Sequence, residues 1–347
     1  MYIKRIVLII ALIGLVAAAI FAYVVYGKFF EPNTSFENKE AFIFIPTNAT
    51  FTEVKKELQP LIEDMESFEA VAERKGYIAN VKSGRYRIAK GSNNNEIVNS
   101  IRSGNIPIKV SFNNQERLPN LAARIAQQIE ADSTSLYQSF IDTEFLKEQG
   151  LTEATAMTLY LPNTYELYWN SSAKSFRDKM VAAHDRFWNE NRRAKAEALN
   201  LNPEEVYTLA SIVQKETAKV DERPRVAGVY LNRYRNNWKL DADPTVIFAK
   251  KKAENDFGQI IKRVLYADLT LDSPYNTYKY QGLPPGPIFM PDRSSIEAVL
   301  NPEGHDYYFF VADVSKPGYH LFAKTLAQHN RNRVQYINWI NAQGVNR

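Results

Sequence analysis

The chain has 347 residues, enough for two or three domains, and its 45% hydrophobic and 24% charged residues are typical of a folding globular protein. It contains no cysteine, which excludes disulfides, thiolate catalysis and cysteine-based zinc sites. The formal net charge of +4 is small and no basic stripe with interleaved aromatics occurs, so nucleic-acid binding is not expected.

The N-terminus carries the strongest single feature of the sequence. Lys4 and Arg5 precede an uninterrupted apolar run over residues 6–26, IVLIIALIGLVAAAIFAYVVY. As a helix this run would rise about 30 Å, the thickness of the hydrocarbon core of a bilayer. Its alanines lie inside the run and bulky residues follow it, unlike the end of a cleavable signal peptide. We predict an uncleaved transmembrane anchor over residues 1–28, with its N-terminus cytoplasmic because positive charge precedes the span.

A short stalk and a compact mixed module are predicted next. Residues 29–40 are polar and contain Pro and Asn, which is typical of a linker. Residues 41–112 then show strand, helix, helix, strand, helix and strand patterns, with helix ends predicted at Gly76 and Gly104. These patterns predict a small α/β module.

The remainder, residues 113–347, is predicted to form a second, mixed α+β domain with a helical lead-in over residues 113–200. The aromatic segment TLYLPNTYELYW interrupts the lead-in and predicts a hairpin or loop. Two helices are predicted between residues 203 and 235, separated by the polar turn AKVDERP. A loop-rich region beginning with LDADPTVIF follows, and the chain closes with a strand or turn and a capped helix. The predicted fold class is therefore α+β.

Glu216 occupies a position that its own predicted helix uses for apolar side chains. Val213, Ile212 and Leu209 lie three, four and seven residues before it, the spacings of one helical face. Burying a carboxylate costs several kcal/mol unless it is paired, hydrogen-bonded or protonated. The alternative is that Glu216 ends the helix and turns outward, as charges at helix ends commonly do.

Other catalytic arrangements find no support in the sequence. There is no G-x-S-x-G motif, and the four histidines show no zinc-binding spacing, so neither a metal nor a cofactor is expected. The Gly-containing segment GLPPG lacks the following Lys of a phosphate-binding loop. Acid/base chemistry by a carboxylate remains, which suits glycan cleavage. Most glycosidases use two carboxyl groups, and Asp241 or Asp243 is the second candidate, although an acidic residue before Pro is more often a turn residue.

Five segments of the second half carry a family resemblance. They are LASIVQKETAKVDERPRVAGVYLNR, LDADPTVIFA, SPYNTYKYQGLPPGPI, NP…YYFFVAD and GYHLFAKTLAQHN. In this order they resemble the signature segments of the endolytic murein transglycosylases of the YceG-like type, the MltG family, over most of residues 155–335. The apolar N-terminus and a LysM-like module at about residues 41–110 also fit that family.

The resemblance implies a peptidoglycan lytic transglycosylase, a lyase, that needs no cofactor. It implies an anchor in the inner (cytoplasmic) membrane, a periplasmic catalytic domain, and peptidoglycan strands and peptidoglycan synthases (penicillin-binding proteins) as partners. The catalytic glutamate of the family corresponds to Glu216. The chain departs from the family pattern at Gln214, where many members have a competing Glu, and at Asn163, where an acidic or small residue is frequent.

A lytic transglycosylase needs one carboxyl group that acts first as an acid and then as a base. The acid protonates the glycosidic oxygen between N-acetylmuramic acid and N-acetylglucosamine. The resulting carboxylate takes the proton of the muramyl 6-hydroxyl, which attacks C1 and leaves a 1,6-anhydro end. An apolar environment raises the pKa of a glutamate toward neutral pH, which suits both roles of Glu216.

The Pro-rich loops are expected to form the walls of a substrate groove beside Glu216, because stiff turns hold side chains in fixed positions. The predicted groove residues are Asp243, Thr245, Tyr275, Asn276, Thr277, Tyr278, His320 and Asn330. In the alternative reading, Asp243 caps a turn, Asn330 caps the last helix and the tyrosines only pack.

Two other functions remain open at this point. A non-catalytic envelope protein would hold peptidoglycan or a synthase without cleaving strands. A hydrolase with Asp243 as its second carboxylate would leave a reducing end, whereas a transglycosylase leaves an anhydromuramyl end that is lighter by one water.

Overall fold

The computed structural model describes residues 2–342, which divide into two compact units. The first unit comprises the chain up to residue 110, with residues 128–131 and 165–172. The second unit comprises residues 111–127 and 132–164, and the chain from residue 173 onward. Both units contain helices and strands, so the predicted α+β fold class is confirmed.

The elements up to residue 112 follow the predicted order. They are α1 (Tyr2–Phe30), β1 (Glu40–Ile45), α2 (Phe51–Leu58), α3 (Met65–Arg74), β2 (Gly84–Ala89), α4 (Asn94–Ser103) and β3 (Pro107–Phe112). The first of them, α1, is long and apolar enough to cross a membrane, and none of its residues is buried. An apolar helix therefore stands where the anchor was predicted.

The core of the first unit lies between one sheet and three helices. β1 and β2 pair in antiparallel fashion, with Glu40 opposite Ala89 and Ile45 opposite Gly84. Alternate side chains of each strand point inward, as the two-residue period of a strand requires. The buried cluster comprises Ile43, Ile45, Val54, Leu58, Ile62, Phe68, Val71, Ala72, Tyr77, Tyr86, Ile88, Ile97, Val98 and Ile101.

Two segments from later in the chain complete the first unit. The backbone N–H of Glu130 donates to the carbonyl of Trp169 at 2.8 Å. The Glu130 carboxylate accepts from the N–H and the hydroxyl of Thr47, both at 2.6 Å, and the Trp169 ring lies 5.1 Å from the Phe44 ring. Sequence patterns carry no signal for such returns, because the contacts to Thr47 and Phe44 join residues more than 80 positions apart.

The chain after β3 contains ten helices and three strands in its described part. In order, these are α5 (Leu118–Ala126), α6 (Ser133–Phe140), α7 (Thr143–Glu148), β4 (Asn163–Tyr168), α8 (Ala173–Phe187), α9 (Glu190–Ala198), α10 (Pro203–Glu216), α11 (Arg223–Arg235), α12 (Asp243–Ala253), α13 (Arg293–Leu300), β5 (Phe309–Ala312), β6 (His320–Ala323) and α14 (Leu326–Ala342). Short 3-10 turns occur at Ala156–Leu159 and Asp268–Thr270. β3 pairs with β4 and β5 pairs with β6, each in a two-stranded sheet.

The central helix of the second unit is α10. Asn202 and Glu205 form a capping box at its start, and Pro203 occupies its first position, where no N–H donor is needed. All eight residues from Val206 to Val213 are buried, so this helix is enclosed on every side over two turns. It packs against α11, α12 and α13. The helix predicted from the apolar stripe is confirmed, and it ends at Glu216.

The loop predicted over LDADPTVIF is wrong from Asp243 onward, where α12 begins. Pro244 falls at the second position of this helix, where its missing N–H costs nothing, so it starts the helix instead of breaking it. Val246 and Ala249 are buried on the inner face of α12. The segment TLYLPNTYELYW also differs from the predicted hairpin, because its second half is β4, whose partner strand is β3.

Deleting residues 2–26 is expected to give a folded protein that is soluble without detergent. The removed stretch is apolar and almost entirely exposed. The retained Lys28 carbonyl still accepts from Asn94 at 2.9 Å, and Phe29 still packs on the core of the first unit. Size-exclusion chromatography and circular dichroism measure the outcome. Aggregation that detergent reverses would contradict it.

Candidate active site

Glu216 is the last residue of α10, and its side chain is half-buried. The hydroxyl of Tyr230, on α11, donates a hydrogen bond to Oε2 of Glu216 at 3.0 Å. Tyr230 itself is only 2% exposed. The helix–turn–helix arrangement of α10 and α11 thus brings one carboxyl group and one phenol together inside the unit.

The environment of Glu216 favours its protonated form. Burial raises the pKa of Glu216 to about 7, and the negative charge of Asp243 acts in the same direction. The hydrogen bond from Tyr230 and the positive charge of Arg233 lower the pKa without cancelling the effect of burial. The C-terminal end of a helix is also the negative end of its dipole, where a carboxylate is unfavourable. A carboxyl group with a pKa near 7 can donate and accept a proton at neutral pH.

Tyr230 acts as a fixed neutral donor to this carboxyl group. Burial raises the pKa of Tyr230 well above its ordinary value, and the Glu216 charge raises it further. The Phe310 ring stands edge-to-face against the Tyr230 ring, with centroids 5.9 Å apart. Packing from α11 and β5 therefore fixes the direction of the hydrogen bond.

Asp243 and Tyr278 form a second pair that interacts with Glu216. The hydroxyl of Tyr278 donates to Oδ1 of Asp243 at 2.6 Å. Burial, and then the bond to Asp243, raise the pKa of Tyr278 above its ordinary range, and the charge of Glu216 contributes in the same direction. Since Asp243 is exposed at the first position of α12, one of its oxygens remains open to a ligand. The structure therefore brings together three of the predicted site residues.

Thr245 and Thr277 are buried, and their side chains are hydrogen-bonded to each other. Their hydroxyl oxygens are 2.8 Å apart. The Thr245 hydroxyl lies 2.7 Å from the Ala242 carbonyl, to which it can donate, and the Thr277 hydroxyl accepts from the Ala242 N–H at 3.0 Å. These bonds tie the first turn of α12 to the loop that carries Tyr278.

Asn276 has the same internal role in that loop. It is completely buried, and its Nδ2 donates to the carbonyls of Leu269 and Leu271 at 3.0 and 2.9 Å. Its Oδ1 accepts from the Tyr278 N–H at 3.0 Å. Asn276 thus fixes the backbone position of Tyr278 from the buried side of the loop.

Tyr275 and Asn330 take part in none of the contacts described above around Glu216. Tyr275 is 4% exposed, and its ring packs 4.8 Å from the Phe248 ring at another cavity. Asn330 is exposed on α14, and within residues 2–342 no hydrogen bond connects it to Glu216.

His320 reaches the neighbourhood of Glu216 through a buried carboxylate, Glu222. Its backbone N–H donates to Oε1 of Glu222 at 2.7 Å, and its Nδ1 lies 2.8 Å from Oε2. The hydroxyl of Thr217, the residue after Glu216, donates to the same Oε2 at 2.9 Å. Glu222 is only 4% exposed, so this pair anchors the chain directly after α10.

Sequence reasoning missed Tyr230 and Glu222. A signal existed for Tyr230, because it lies three residues after Ala227 and four after Val226 and so continues the apolar stripe of α11. A hydroxyl on such a stripe, like the carboxylate of Glu216, needs a hydrogen-bond partner where it is buried. Glu222 stands in the polar turn AKVDERP, where a charge is ordinary, so nothing local singled it out.

Gln214, the position at which the sequence resemblance implies a departure, connects α10 to α13. Its Oε1 accepts from the Asp292 N–H at 3.1 Å and from the Ser295 hydroxyl at 2.6 Å. One turn earlier, the Ser211 hydroxyl accepts from the Ile288 N–H at 3.1 Å. Ile288 follows the GLPPG segment, and within that segment Gly286 lies against the backbone of Ala154, where an added Cβ would stand 2.0 Å from the carbonyl oxygen.

The arrangement is that of a site for proton transfer by one carboxyl group. Among residues 2–342, no cluster of three or more His, Asp or Glu side chains is placed to hold a metal ion. The groups that surround Glu216 are a phenol donor, a nearby carboxylate with its own phenol, and a buried carboxylate that fixes the following residue. Burial raises the pKa of the carboxyl group, the charge of Asp243 acts in the same direction, and the hydrogen bond from Tyr230 lowers it.

Comparison with known proteins agrees with the sequence resemblance. A model of the YceG-like family matches residues 43–335, so the chain belongs to the YceG-like family. It is 27% identical over 333 residues to an endolytic murein transglycosylase of Bacillus subtilis, and the match covers 90% of this chain and 89% of that relative. A Streptococcus pneumoniae protein of the same name is 30% identical over 208 residues, and the match spans 60% of this chain and only 37% of that relative.

A solved structure shares the fold. The crystal structure of a yceG-like protein from Listeria monocytogenes aligns with a TM-score of 0.56 and 28% sequence identity. The alignment covers 85% of this chain and 99% of the Listeria chain. The predicted membership of this family is confirmed.

Tyr230→Phe is expected to raise the pKa of Glu216 above about 7. The substitution removes the hydrogen bond that lowers this pKa and leaves the burial that raises it. Carboxyl-carbon NMR titration measures the change. Tyr234→Phe, the same substitution one turn further along α11, serves as the matched control. An unchanged Glu216 titration in Tyr230→Phe would contradict the assignment.

Glu216→Gln is expected to stabilise the folded protein at alkaline pH. The folded carboxyl group keeps its proton up to about pH 7, whereas the unfolded one releases it near 4.5, so the stability of the parent protein falls between these values. The amide carries no charge to desolvate. We expect a gain of about 1–3 kcal/mol at pH 8 that is absent below about pH 4.

Thermal unfolding at the two pH values measures this difference. Glu197→Gln, an exposed carboxylate on α9, is the control and should show no comparable dependence on pH. Identical unfolding of the parent and Glu216→Gln at both pH values would be incompatible with a raised pKa.

Proposed function

We propose that this chain is a membrane-anchored endolytic lytic transglycosylase of peptidoglycan. It cleaves the bond between N-acetylmuramic acid and N-acetylglucosamine and leaves 1,6-anhydro-N-acetylmuramic acid ends. The observation that carries the proposal is the single half-buried carboxyl group of Glu216, with a pKa near 7 and a phenol donor at 3.0 Å. Family membership and the names of the Bacillus and Streptococcus relatives support it.

In the first step, protonated Glu216 donates its proton to the glycosidic oxygen. The bond between C1 and that oxygen breaks, and N-acetylglucosamine leaves with a free hydroxyl group. Glu216 is then a carboxylate, which Tyr230 stabilises through its hydrogen bond. In the second step the carboxylate takes the proton of the muramyl 6-hydroxyl, whose oxygen attacks C1. The ring closes without water, and Glu216 regains its proton.

Asp243 has an electrostatic role in this proposal. Glycosidic cleavage passes through a transition state with positive charge at the sugar ring, and a nearby carboxylate stabilises such a charge. The bond from Tyr278 holds Asp243 in place. A hydrolase that uses Asp243 to activate water is the second candidate function, because the same carboxylate lies within electrostatic range of Glu216.

We extend the proposal to the predicted groove residues with roles graded by their burial. Asp243 and Tyr278 face the substrate. Thr245, Asn276 and Thr277 hold this wall from behind, and His320 acts through Glu222. Tyr275 and Asn330 contribute at the ends of the groove.

The N-terminal region has a supporting role in this proposal. The apolar helix α1 anchors the chain in the inner (cytoplasmic) membrane with its N-terminus cytoplasmic and the catalytic domain outside, as the charge distribution around it favours. A LysM-like module over residues 41–112 holds peptidoglycan or a peptidoglycan synthase near the strand. The strand–helix core of the first unit supports this reading.

Glu216→Gln is expected to lose cleavage by about 100-fold or more, because the amide has no titratable proton. Purified strands are incubated with the full chain in detergent and the products are weighed by mass spectrometry. Anhydromuramyl ends from the parent protein support the proposal, with Glu197→Gln as the matched control. Reducing ends would favour the hydrolase, and binding without any shortening would favour a non-catalytic protein. Parent-like cleavage by Glu216→Gln would refute the role of Glu216.

The pH profile gives an independent test of the same group. The first step needs protonated Glu216, so kcat/KM should fall by about tenfold for each pH unit above about pH 7. Measurements between pH 5 and 9 at constant ionic strength determine the limb. A kcat/KM that already falls tenfold per pH unit from pH 5 upward, as for a carboxyl group with the ordinary pKa of about 4.5, would contradict the raised pKa of Glu216.

A further inference from the structure

The second unit contains a cavity of about 580 Å³ that the mechanism above does not use. We refer to it as the α12 pocket, because Phe248 and Lys252 of α12 line it together with Arg117, Phe257 and Tyr275. Its volume is within the range of small-ligand sites, about 300–1,000 Å³. A cavity of this size, lined by aromatic rings and a few charged groups, has the composition of a binding site.

Three aromatic rings form one surface of the α12 pocket. The Phe248 ring lies 4.8 Å from the Tyr275 ring and 5.7 Å from the Phe257 ring, both measured between centroids. These contacts fix the rings in place. They offer a rigid apolar surface to the nonpolar part of a ligand.

Two cations stand on these rings without an acidic partner. The guanidinium of Arg117 lies 4.2 Å from the Phe257 centroid, and Nζ of Lys252 lies 4.7 Å from the Tyr275 centroid. Within residues 2–342 neither makes an ion pair, and Nε of Arg117 is buried without a hydrogen-bond partner. A buried N–H donor is normally bonded, so a ligand oxygen would complete this group.

In the part of the chain that the structure describes, neither acidic residue at the α12 pocket, Glu116 or Glu153, forms an ion pair with Arg117 or Lys252. Glu116 is paired with a third cation, Lys251, at 3.1 Å. Glu153 is exposed and offers an acceptor to an amine or amide of the same ligand. The α12 pocket therefore fits a ligand that combines carboxylate, amide and apolar groups, which is the chemistry of a short acidic peptide.

The α12 pocket and Glu216 are linked by two shared elements. Asp243 opens α12, and Lys252 lies nine residues further, about 13 Å along the axis. Tyr275 and Tyr278 are on one loop. Tyr275 lines the α12 pocket, and the hydroxyl of Tyr278 is hydrogen-bonded to Asp243. An extended peptide covers about 3.3 Å per residue, so about four residues span the same distance.

We propose that the α12 pocket binds the carboxylate-bearing peptide stem of the peptidoglycan strand whose glycan bond lies at Glu216. This inference rests on the proposed function, because the stem is part of that substrate. Arg117 and Lys252 bind stem carboxylates, and the rings contact its apolar side chains. The pocket thereby selects strands that carry peptides over bare glycan.

The first experiment measures peptide binding without catalysis. Isothermal titration calorimetry follows the dipeptide L-alanyl-D-glutamate, acetylated at its N-terminus, on the full chain in detergent. The same peptide with both carboxyl groups amidated is the control. Binding of the free acid that is lost on amidation, and weakened about tenfold in Arg117→Met/Lys252→Met, supports the proposal. Equal binding of both peptides, or no binding, overturns it.

The second experiment compares strands that carry stems with strands stripped of stems by an amidase. The ratio of kcat/KM for the two substrates should fall about tenfold in Arg117→Met/Lys252→Met. Lys250→Met is the matched control, since Lys250 is on α12 but pairs with Asp268. An equal loss on both substrates indicates a structural role and overturns the proposal.

Folding is checked by thermal unfolding of each variant. If the double variant unfolds early, Lys252→Met alone gives the decisive ratio, because Lys252 is exposed and its cation lies over the ring of Tyr275. If the parent protein cleaves neither substrate, the proposed function fails, and the peptide titration by itself decides the α12 pocket.

Discussion

The hydrogen bond from Tyr230 to Glu216 joins two helices at the point where proton transfer is proposed. The proposed site depends on this bond because it opposes the effect of burial on the pKa of Glu216. Burial favours a neutral carboxyl group, whereas the phenol donor favours the carboxylate. With burial alone the group would hold its proton too firmly to release it. In solvent it would have lost the proton at neutral pH. The pKa of Glu216 is about 7 because the effect of burial outweighs that of the hydrogen bond from Tyr230.

The surrounding polar contacts keep this balance fixed. Glu222 is bonded to Thr217, directly after Glu216, and to His320 on β6. Asn276 fixes the loop of Tyr278 from inside the unit. In each case a buried polar group is satisfied by another part of the protein. Such bonds define the position of a catalytic group, and a misplacement of about 1 Å costs a large part of the rate.

The contacts of Gln214 show what an amide does at a position where the sequence resemblance implies a glutamate in many relatives. The amide oxygen accepts two hydrogen bonds that connect α10 to α13. The two donors need only an acceptor oxygen, which an amide supplies as well as a carboxylate does. A second carboxylate two residues from Glu216 is therefore unnecessary for the fold. Its absence leaves the proton chemistry of the helix end to one group, consistent with a mechanism in which the same residue is acid and then base.

The sequence alone determined the apolar N-terminal helix, the α+β class, the helix whose apolar stripe leads to Glu216, and the family. The first three follow from local periodicity and composition, and the family follows from the resemblance of five segments spread over most of residues 155–335. Only the tertiary structure decided that Tyr230 and Glu222 reach the site, and that Thr245 and Asn276 are bonded inside the protein. Periodicity shows which face of a helix is buried, but a buried polar group is satisfied by a partner from a distant element. The identity of that partner is fixed only when the elements pack together.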